Sequence, residues 1–446
     1  MKIYPDTKVY IIAPANYSSG GPESLHQLCS QLLNCNLDAC MYYVPSIPKI
    51  FKPENPVPAS YTKYHLPYVL EVEDAEKNIL IIPESLVEYH YRTEKIRRVI
   101  WWLSVNIYIR TIRDLMDKYF LNPLAKPMPK FFYFHRGDET FEHWGQSEYV
   151  REFLELNGVE NATSIETPMS HNFLSQAKHI DFSAKENIVV FNPKKDTEIA
   201  KKIMAVDPDI NYQRIENMTP EEVQTLLAKA KVYMDFGYFP GRERLPREAA
   251  LSGCVVITGK RGAAANDIDV NIPADFKFDT NDLKPQQVAE KIREVFKDFS
   301  TAYEEQKAFR DKELNAPKVF KAKVAEYFEI KELPPPSVAF VQGVSEESLL
   351  LAQGLLNSKD CKPSFIIDDV MACTENPDER IIREQNRNYL RLDDNLIEVI
   401  THDDAKFLYL EGRIKKFALL EPTDAELDEI KDFYGADVDD LMIFSL

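Results

Sequence analysis

Short apolar runs alternate along the chain with longer segments whose apolar residues recur every three or four positions. Val9–Ala13 is a β-branched run ending at Pro14, followed by a Gly-Gly-Pro turn and an amphipathic stretch from Glu23 to Leu33. That pattern predicts a strand, a turn and a helix. Met41–Val44, Ile79–Ile82, Val99–Leu103 and Phe131–Phe134 read as further strands separated by loops or helical segments. After Thr167-Pro168 the pattern loosens to about Ser183, then restarts with Ile188–Phe191, Val232–Phe236 and Cys254–Thr258. The fold class expected is α/β, with two Rossmann-like parallel-sheet domains facing a cleft, at residues 1–180 and 181–332, and a linker near 168–185. Pro334–Pro336 marks a further boundary. Beyond it Val338–Val341, Phe365–Ile367 and Leu396–Ile400 alternate with helical stretches and acidic loops, which predicts a small C-terminal α/β domain at 337–446. On that division, truncation near Leu333 should leave a folded protein.

Charge and composition narrow the classes of function. With 72 acidic against 54 basic residues the net charge is -18 over 446 residues, which excludes an extended electrostatic grip on nucleic acid. Any phosphate site must be local. The six cysteines lack the paired close spacing of a zinc site, and a reducing cytosol suits them. The first apolar run is too short for a secretory segment, and no stretch of about 18 apolar residues is uninterrupted. The expectation is a cytoplasmic protein, at most peripheral to the inner face of a membrane.

In open parallel sheets ligands sit beyond the carboxyl ends of strands, so the residues that follow each strand carry the chemistry. Gly20 and Gly21 lie between the first strand and its helix, where backbone amides suit a phosphate or sugar. Neither the dinucleotide Gly-x-Gly-x-x-Gly nor a Walker-type loop occurs. Asn192, Lys194 and Lys195 follow the strand ending at Phe191. Gly237 to Arg242, Glu243 and Arg244 follow Val232–Phe236, and Pro246 predicts a helix start with Arg247 and Glu248 in its first turn and Gly253 as its stop. Lys260, Arg261, Gly262 and Asn266 follow Cys254–Thr258. Guanidinium forks and loop amides fit an anionic diphosphate, and a carboxylate at a helix start fits a ribose diol. A sugar nucleotide has both.

Gly20-Gly-Pro-Glu-Ser-Leu-His26-Gln-Leu, Phe191-Asn-Pro-Lys-Lys195 and Pro246-Arg-Glu248-Ala-Ala-Leu-Ser-Gly253-Cys-Val-Val-Ile257 together resemble GT-B glycosyltransferases, within them the retaining group called family 4. Trp101-Trp-Leu-Ser-Val-Asn106, Asp235-Phe-Gly and Pro-Arg-Glu-Ala-Ala make the chain similar to bacterial enzymes of surface-polysaccharide clusters. The resemblance covers about residues 8–330. It implies that Glu248 holds the donor ribose, Lys195 the diphosphate, the Gly262–Asn266 loop the transferred sugar, and Gly20 and Gly21 the donor phosphate. Where the family has another glutamate eight positions before Glu248, this chain has Pro240, which leaves retention or inversion open. Arg242 and Arg244 are expected to take over phosphate binding.

On the acceptor side Glu84, Trp102, Ser104 and Asn106 end apolar strands, and His26 lies on the helix after the glycines. An acceptor sugar would stack on an aromatic ring and hydrogen-bond the neighbours, although one of Trp101 and Trp102 should be core because a strand alternates its faces. No Asp-x-Asp-type cluster stands at a strand end, so neither metal nor cofactor is expected, the nucleotide sugar being a substrate. The partners expected are that donor and a glycan or lipid-linked acceptor. An Arg97–Trp102 segment touching a membrane surface is the alternative to a buried strand. Two rival functions stand beside transfer: a nucleotide-sugar epimerase on the same fold, and a non-catalytic scaffold whose contacts come from residues 337–446.

Overall fold

The computed structural model describes residues 1–45, 51–121, 132–134, 141–195, 197–330, 334–356, 358–375, 380–392 and 394–445. Two compact units divide the chain, each built from two separate stretches: Met1–Tyr4 with Glu73–Phe328, and Pro5–Val72 with Glu329–Leu446.

The stretch Pro5–Val72 holds β1 (Lys8–Pro14), α1 (Gly20–Asn34), β2 (Asp38–Val44) and β3 (Tyr68–Val69). β1 pairs parallel to β2 from Lys8↔Asp38 to Pro14↔Val44, and β2 pairs parallel to β3. The stretch beginning at Glu73 opens with β4 (Ile79–Pro83), β5 (Arg97–Trp102), α2 (Val105–Leu121), β6 (Phe141–Gly145), α3 (Glu148–Leu156), β7 (Thr163–Ser164) and α4 (His171–Gln176). β4, β5, β6 and β7 pair in that order, all parallel. Ile79–Ile82 and Val99–Trp102 are buried throughout, as expected of parallel strands covered on both faces. Arg97–Trp102 is therefore an interior strand of the sheet, buried over its last four residues. The strand expected at Phe131–Phe134 is not one: Phe131 lies outside the described residues, and Phe132–Phe134 are irregular. The Phe132 and Phe134 rings instead pack around Trp102, with Phe134 stacked on the indole at 5.1 Å between centroids. The apolar run reflects that cover rather than strand pairing, and the strand is Phe141–Gly145.

The same unit continues with β8 (Glu186–Phe191), α5 (Thr197–Val206), β9 (Asn211–Arg214), α6 (Pro220–Lys229), β10 (Ala230–Asp235), α7 (Arg244–Leu251), β11 (Val255–Gly259), β12 (Lys277–Phe278), α8 (Pro285–Lys297), α9 (Phe299–Glu305) and α10 (Lys307–Tyr327). These strands form one parallel sheet in the order β12-β11-β10-β8-β9. The winding reverses between β8 and β10, so their carboxyl ends open a crevice. α6 begins with a capping box in which Thr219 and Glu222 satisfy each other's amides. α7 stops where Gly253 takes φ +84°. Beside that stop the buried Lys185 ammonium donates to the carbonyls of Leu227, Ala230 and Ser252, which close α6 and α7. Gln306 runs its side-chain amide along β11, bonding both the N–H and the C=O of Val256 at 2.8 Å.

The stretch from Glu329 carries β13 (Ser337–Phe340), α11 (Glu346–Leu355), β14 (Lys362–Ile367), α12 (Asp369–Cys373), β15 (Ile381–Glu384), β16 (Arg387–Leu392), β17 (Asn395–Ile400), α13 (His402–Leu410), β18 (Lys416–Leu420), α14 (Asp424–Tyr434) and β19 (Leu441–Phe444). The sheet order is β15-β16-β17-β14-β13-β18-β19, with β15-β16 and β16-β17 antiparallel and the rest parallel. The fold is thus two parallel-sheet α/β regions and a further mixed sheet. This last sheet shares its unit with residues 5–72 and is tied to them. His65 Nδ1 lies 2.8 Å from Glu398 and its Nε2 3.2 Å from Asp404. Arg387 donates to the carbonyl of Leu66, Arg413 to that of Tyr64, and Asn34 to that of Glu411. Burial alone would depress the His65 imidazolium, but Glu398 and then Asp404 raise its pKa to about 9.

Candidate functional site

The crevice between β8 and β10 is lined by the residues that follow those strands. After β8, Asn192 Oδ1 accepts from the Lys194 amide at 3.0 Å and so shapes the turn that brings Lys195 round. Lys194 is exposed and Lys195 half-buried. Gly237 lets the Lys195 stem run close: a Cβ there would stand 2.7 Å from Lys195 Cβ. The Lys195 ammonium ion-pairs with Glu243, stands 3.9 Å from Asp235 and lies 5.2 Å from the Phe239 ring centroid. Asp235 is buried and fully engaged, accepting from the Gly237 amide at 2.9 Å and the Tyr233 hydroxyl at 3.0 Å. Burial pushes its carboxyl up despite Lys195, and does the same to Glu243.

The third wall follows β11. Phe239 and the 261–263 turn exchange backbone bonds, Phe239 N to Arg261 O at 3.3 Å and Ala263 N to Phe239 O at 2.8 Å. Gly262 has φ +59°, and a Cβ would lie 2.1 Å from Phe239 O, so only glycine fits. Arg261 is half-buried, donating to Phe236 O at 3.3 Å, while Lys260 is exposed. α7 starts at Arg244, two residues before the expected Pro246, with Glu243 as its N-cap. Pro246 still falls in the first turn, where its missing N–H has no helical partner to lose. Arg244 Nε donates to Glu248 Oε1 at 3.2 Å, one helical turn on, and Glu248 is buried. Lys195, Glu243, Arg244, Glu248, Arg261 and Gly262 thus come from the loops after β8, β10 and β11 and from the start of α7.

Arg242 and Asn266 go elsewhere. Arg242 was expected at the diphosphate, but its side chain is 3% exposed, with Nη1 2.7 Å from Glu166 and Nη2 2.8 Å from Glu313. Arg247 Nε donates to the other Glu313 oxygen at 2.6 Å and its Nη2 to the Thr167 carbonyl at 2.9 Å. Two carboxylates neutralise Arg242 inside the fold, so its charge does not reach the crevice. Glu313 resists the upward push of burial because Arg242 and then Arg247 face it, and sits at about 2. Arg247 has one carboxylate and a neighbouring guanidinium, so burial prevails and its pKa falls to about 10. Asn266 Oδ1 accepts from the amides of Ile268 and Asp269, and its Nδ2 donates to Asp269, which accepts from the first amides of α3 at Glu148 and Tyr149. It shapes the loop rather than facing a ligand.

The acceptor-side residues also separate. Glu84 is buried with Oε2 accepting from Leu103 N at 2.8 Å, and burial, against the amides of Leu103 and Ser104, raises its pKa to about 7. Ser104 is half-buried and bridges Gly241, beside a Val105 N to Pro240 O bond of 3.1 Å. A Cβ on Gly241 would lie 2.5 Å from Leu103 O, so this contact between the β5 and β10 loops needs glycine. Asn106 is half-buried in the first turn of α2. Trp102 is a correction: like Trp101 it is 0% exposed, its indole donates to His143 at 3.0 Å, and no face is left for a sugar. In the other unit, Gly20 and Gly21 are half-buried and open α1, after Ser19 whose N–H and C=O both bond the Tyr61 hydroxyl. His26 is buried there. Its Nδ1 donates to the Pro22 carbonyl at 2.7 Å, its Nε2 accepts from Tyr43, and burial lowers its pKa to about 4. Its ring lies tilted against those of Tyr61, Tyr64 and Tyr43, the environment of a neutral core histidine. No group of three or more potential metal-ligating side chains occurs among the described residues.

No family model matches the chain, and no curated protein matches it. Solved structures similar to it include Anabaena HepE in complex with UDP-glucose, at 13% identity and TM-score 0.48 over 72% of this chain and 98% of that one. Sucrose-phosphate synthase from Thermosynechococcus elongatus is similar at 12% identity and TM-score 0.46, over 72% and 98%. WaaG, a glycosyltransferase involved in lipopolysaccharide biosynthesis, is similar at 11% and 0.42, over 71% and 99%. The likeness at these identities is one of fold.

Proposed function

We propose that the protein is a glycosyltransferase moving a sugar from a nucleoside-diphosphate donor to a glycan or lipid-linked acceptor, in the building of a bacterial surface polysaccharide. The observation that carries this reading is the meeting of Lys195, the Arg244–Glu248 pair and the Gly262 turn at the reversal point of the β8–β12 sheet. Lys195 and Arg244, with Lys260 and Arg261 at the rim, supply charge to a diphosphate leaving group as its bond to the sugar breaks. Glu248 accepts from the ribose diol. Gly262 opens the backbone to the transferred sugar. Ser104 and Asn106 are the acceptor-side groups, and Glu84 holds the Leu103–Ser104 turn that meets Gly241.

Calorimetric titration of nucleosides and nucleoside diphosphates tests these roles. Glu248→Gln should weaken both ligand types by roughly 1.5–3 kcal/mol, the worth of a charge-assisted hydrogen bond. Arg244→Ala should weaken the diphosphate and leave the nucleoside nearly unchanged. Equal weakening of both ligands by Arg244→Ala would sink the assignment.

A further inference from the structure

We propose that Glu243 is the resident counter-ion of the phosphate site: it occupies the Lys195 ammonium when the crevice is empty and is displaced by the donor's diphosphate. The inference rests on the donor reading above. As the N-cap residue of α7, Glu243 makes no side-chain capping bond, although the first-turn amides of a helix ordinarily attract one. The carboxylate turns instead to Lys195, across the crevice where the sheet reverses.

Lys195 has a second acidic neighbour, and the two differ in freedom. Asp235 is held by the Gly237 amide and the Tyr233 hydroxyl, and its side chain is 1% exposed. Glu243 is 22% exposed on a longer side chain, and its carboxylate accepts from Lys195. The ammonium itself is fixed, its stem against Gly237 and its head over the Phe239 ring. An arriving phosphate therefore finds the cation in place and a carboxylate on it, and carboxylate and phosphate oxygens compete for the same donor. The other charged groups on the walls, Arg244 with Glu248 and Arg261, stay with the ligand. The consequence is selectivity by charge: a diphosphate bonded by several cations outbids Glu243, while a weaker anion does not. Glu243 also shortens the stay of the diphosphate product, because its return closes the ion pair again.

The test is calorimetric titration of the full chain with ADP, CDP, GDP and UDP, their nucleosides, and inorganic pyrophosphate. Glu243→Gln should tighten the preferred diphosphate and pyrophosphate by about tenfold, one charge-assisted contact no longer contested, and leave the nucleoside unchanged. Glu243→Ala should show the same gain, which keeps the outcome readable if the amide disturbs the loop. In the Lys195→Ala background the gain should vanish. An unchanged or weaker diphosphate in both Glu243 variants, with Lys195→Ala still lowering affinity, overturns the counter-ion role and leaves the donor reading standing. No diphosphate binding to the wild type, or binding indifferent to Lys195→Ala, overturns both.

Discussion

Replacing Glu313 by Gln tests whether the buried Arg242–Glu313–Arg247 cluster holds the β8–β12 region together. The substitution keeps the volume and removes the charge, leaving two buried guanidiniums with Glu166 as the carboxylate near one of them. The Glu313 carboxyl moves from 4.5 to about 2 on folding, which corresponds to about 3 kcal/mol of stability at neutral pH. Breaking a buried pair by removing one partner costs about 3–5 kcal/mol by the same electrostatics. Trp101, Trp102 and Trp144, the three tryptophans of the chain, all lie in the unit containing Glu313, so their emission follows urea unfolding of that unit alone. With a urea dependence of about 1–3 kcal/mol per molar, the midpoint at pH 7 should fall by about 1 M or more. The sign with pH is fixed by the depressed pKa: the contribution is complete above 4.5 and lost as the pH falls towards 2, so wild type and variant converge there. A midpoint within about 0.3 M of wild type at pH 7, or a gap that does not narrow in acid, would refute the reasoning.

Removal of residues 334–446, expected from the proline run to be harmless, should instead leave residues 59–69 without their partners and make the segment before Val72 protease-sensitive; undiminished protease resistance would contradict it. His65→Leu should destabilise the same unit most below about pH 6.5, with the deficit shrinking as the pH rises through about 9, because the folded pKa lies above the ordinary 6.5; thermal melts across that range read it out. Transfer is expected to survive EDTA, since Lys195, Arg244, Lys260 and Arg261 supply the positive charge at the sheet edge, and complete loss restored by manganese would count against it.

Strands covered on both faces were legible because burial makes them continuous apolar runs, as at Val9–Ala13 and Ile188–Phe191. β6 was not, because Glu142 and His143 interrupt it, and His143 is buried by accepting the Trp102 indole bond, which local pattern does not reveal. The β15–β16 hairpin was hidden by its turn: Gln385 and Asn386 take φ +50° and +61° without a glycine to announce them. The placement of Lys195 and Gly262 in the loops after strands, and of Glu248 near the start of a helix, could be read because the strands and the helix start are local patterns. The burial of Arg242 could not, since it is decided by a carboxylate 71 positions away, nor the pairing of Lys195 with a residue 48 positions on.

The unit made of Pro5–Val72 and Glu329–Leu446 also sets a timetable for biogenesis. His65 meets Glu398 across 333 positions and Asn34 meets Glu411 across 377. During synthesis residues 59–69 emerge well before the side chains that hold them, which follow more than 300 positions later. At about 5–20 residues per second the wait is roughly 15–75 s. Through that interval His65 and the carbonyls of Tyr64 and Leu66 lack the partners that hold them in the finished unit.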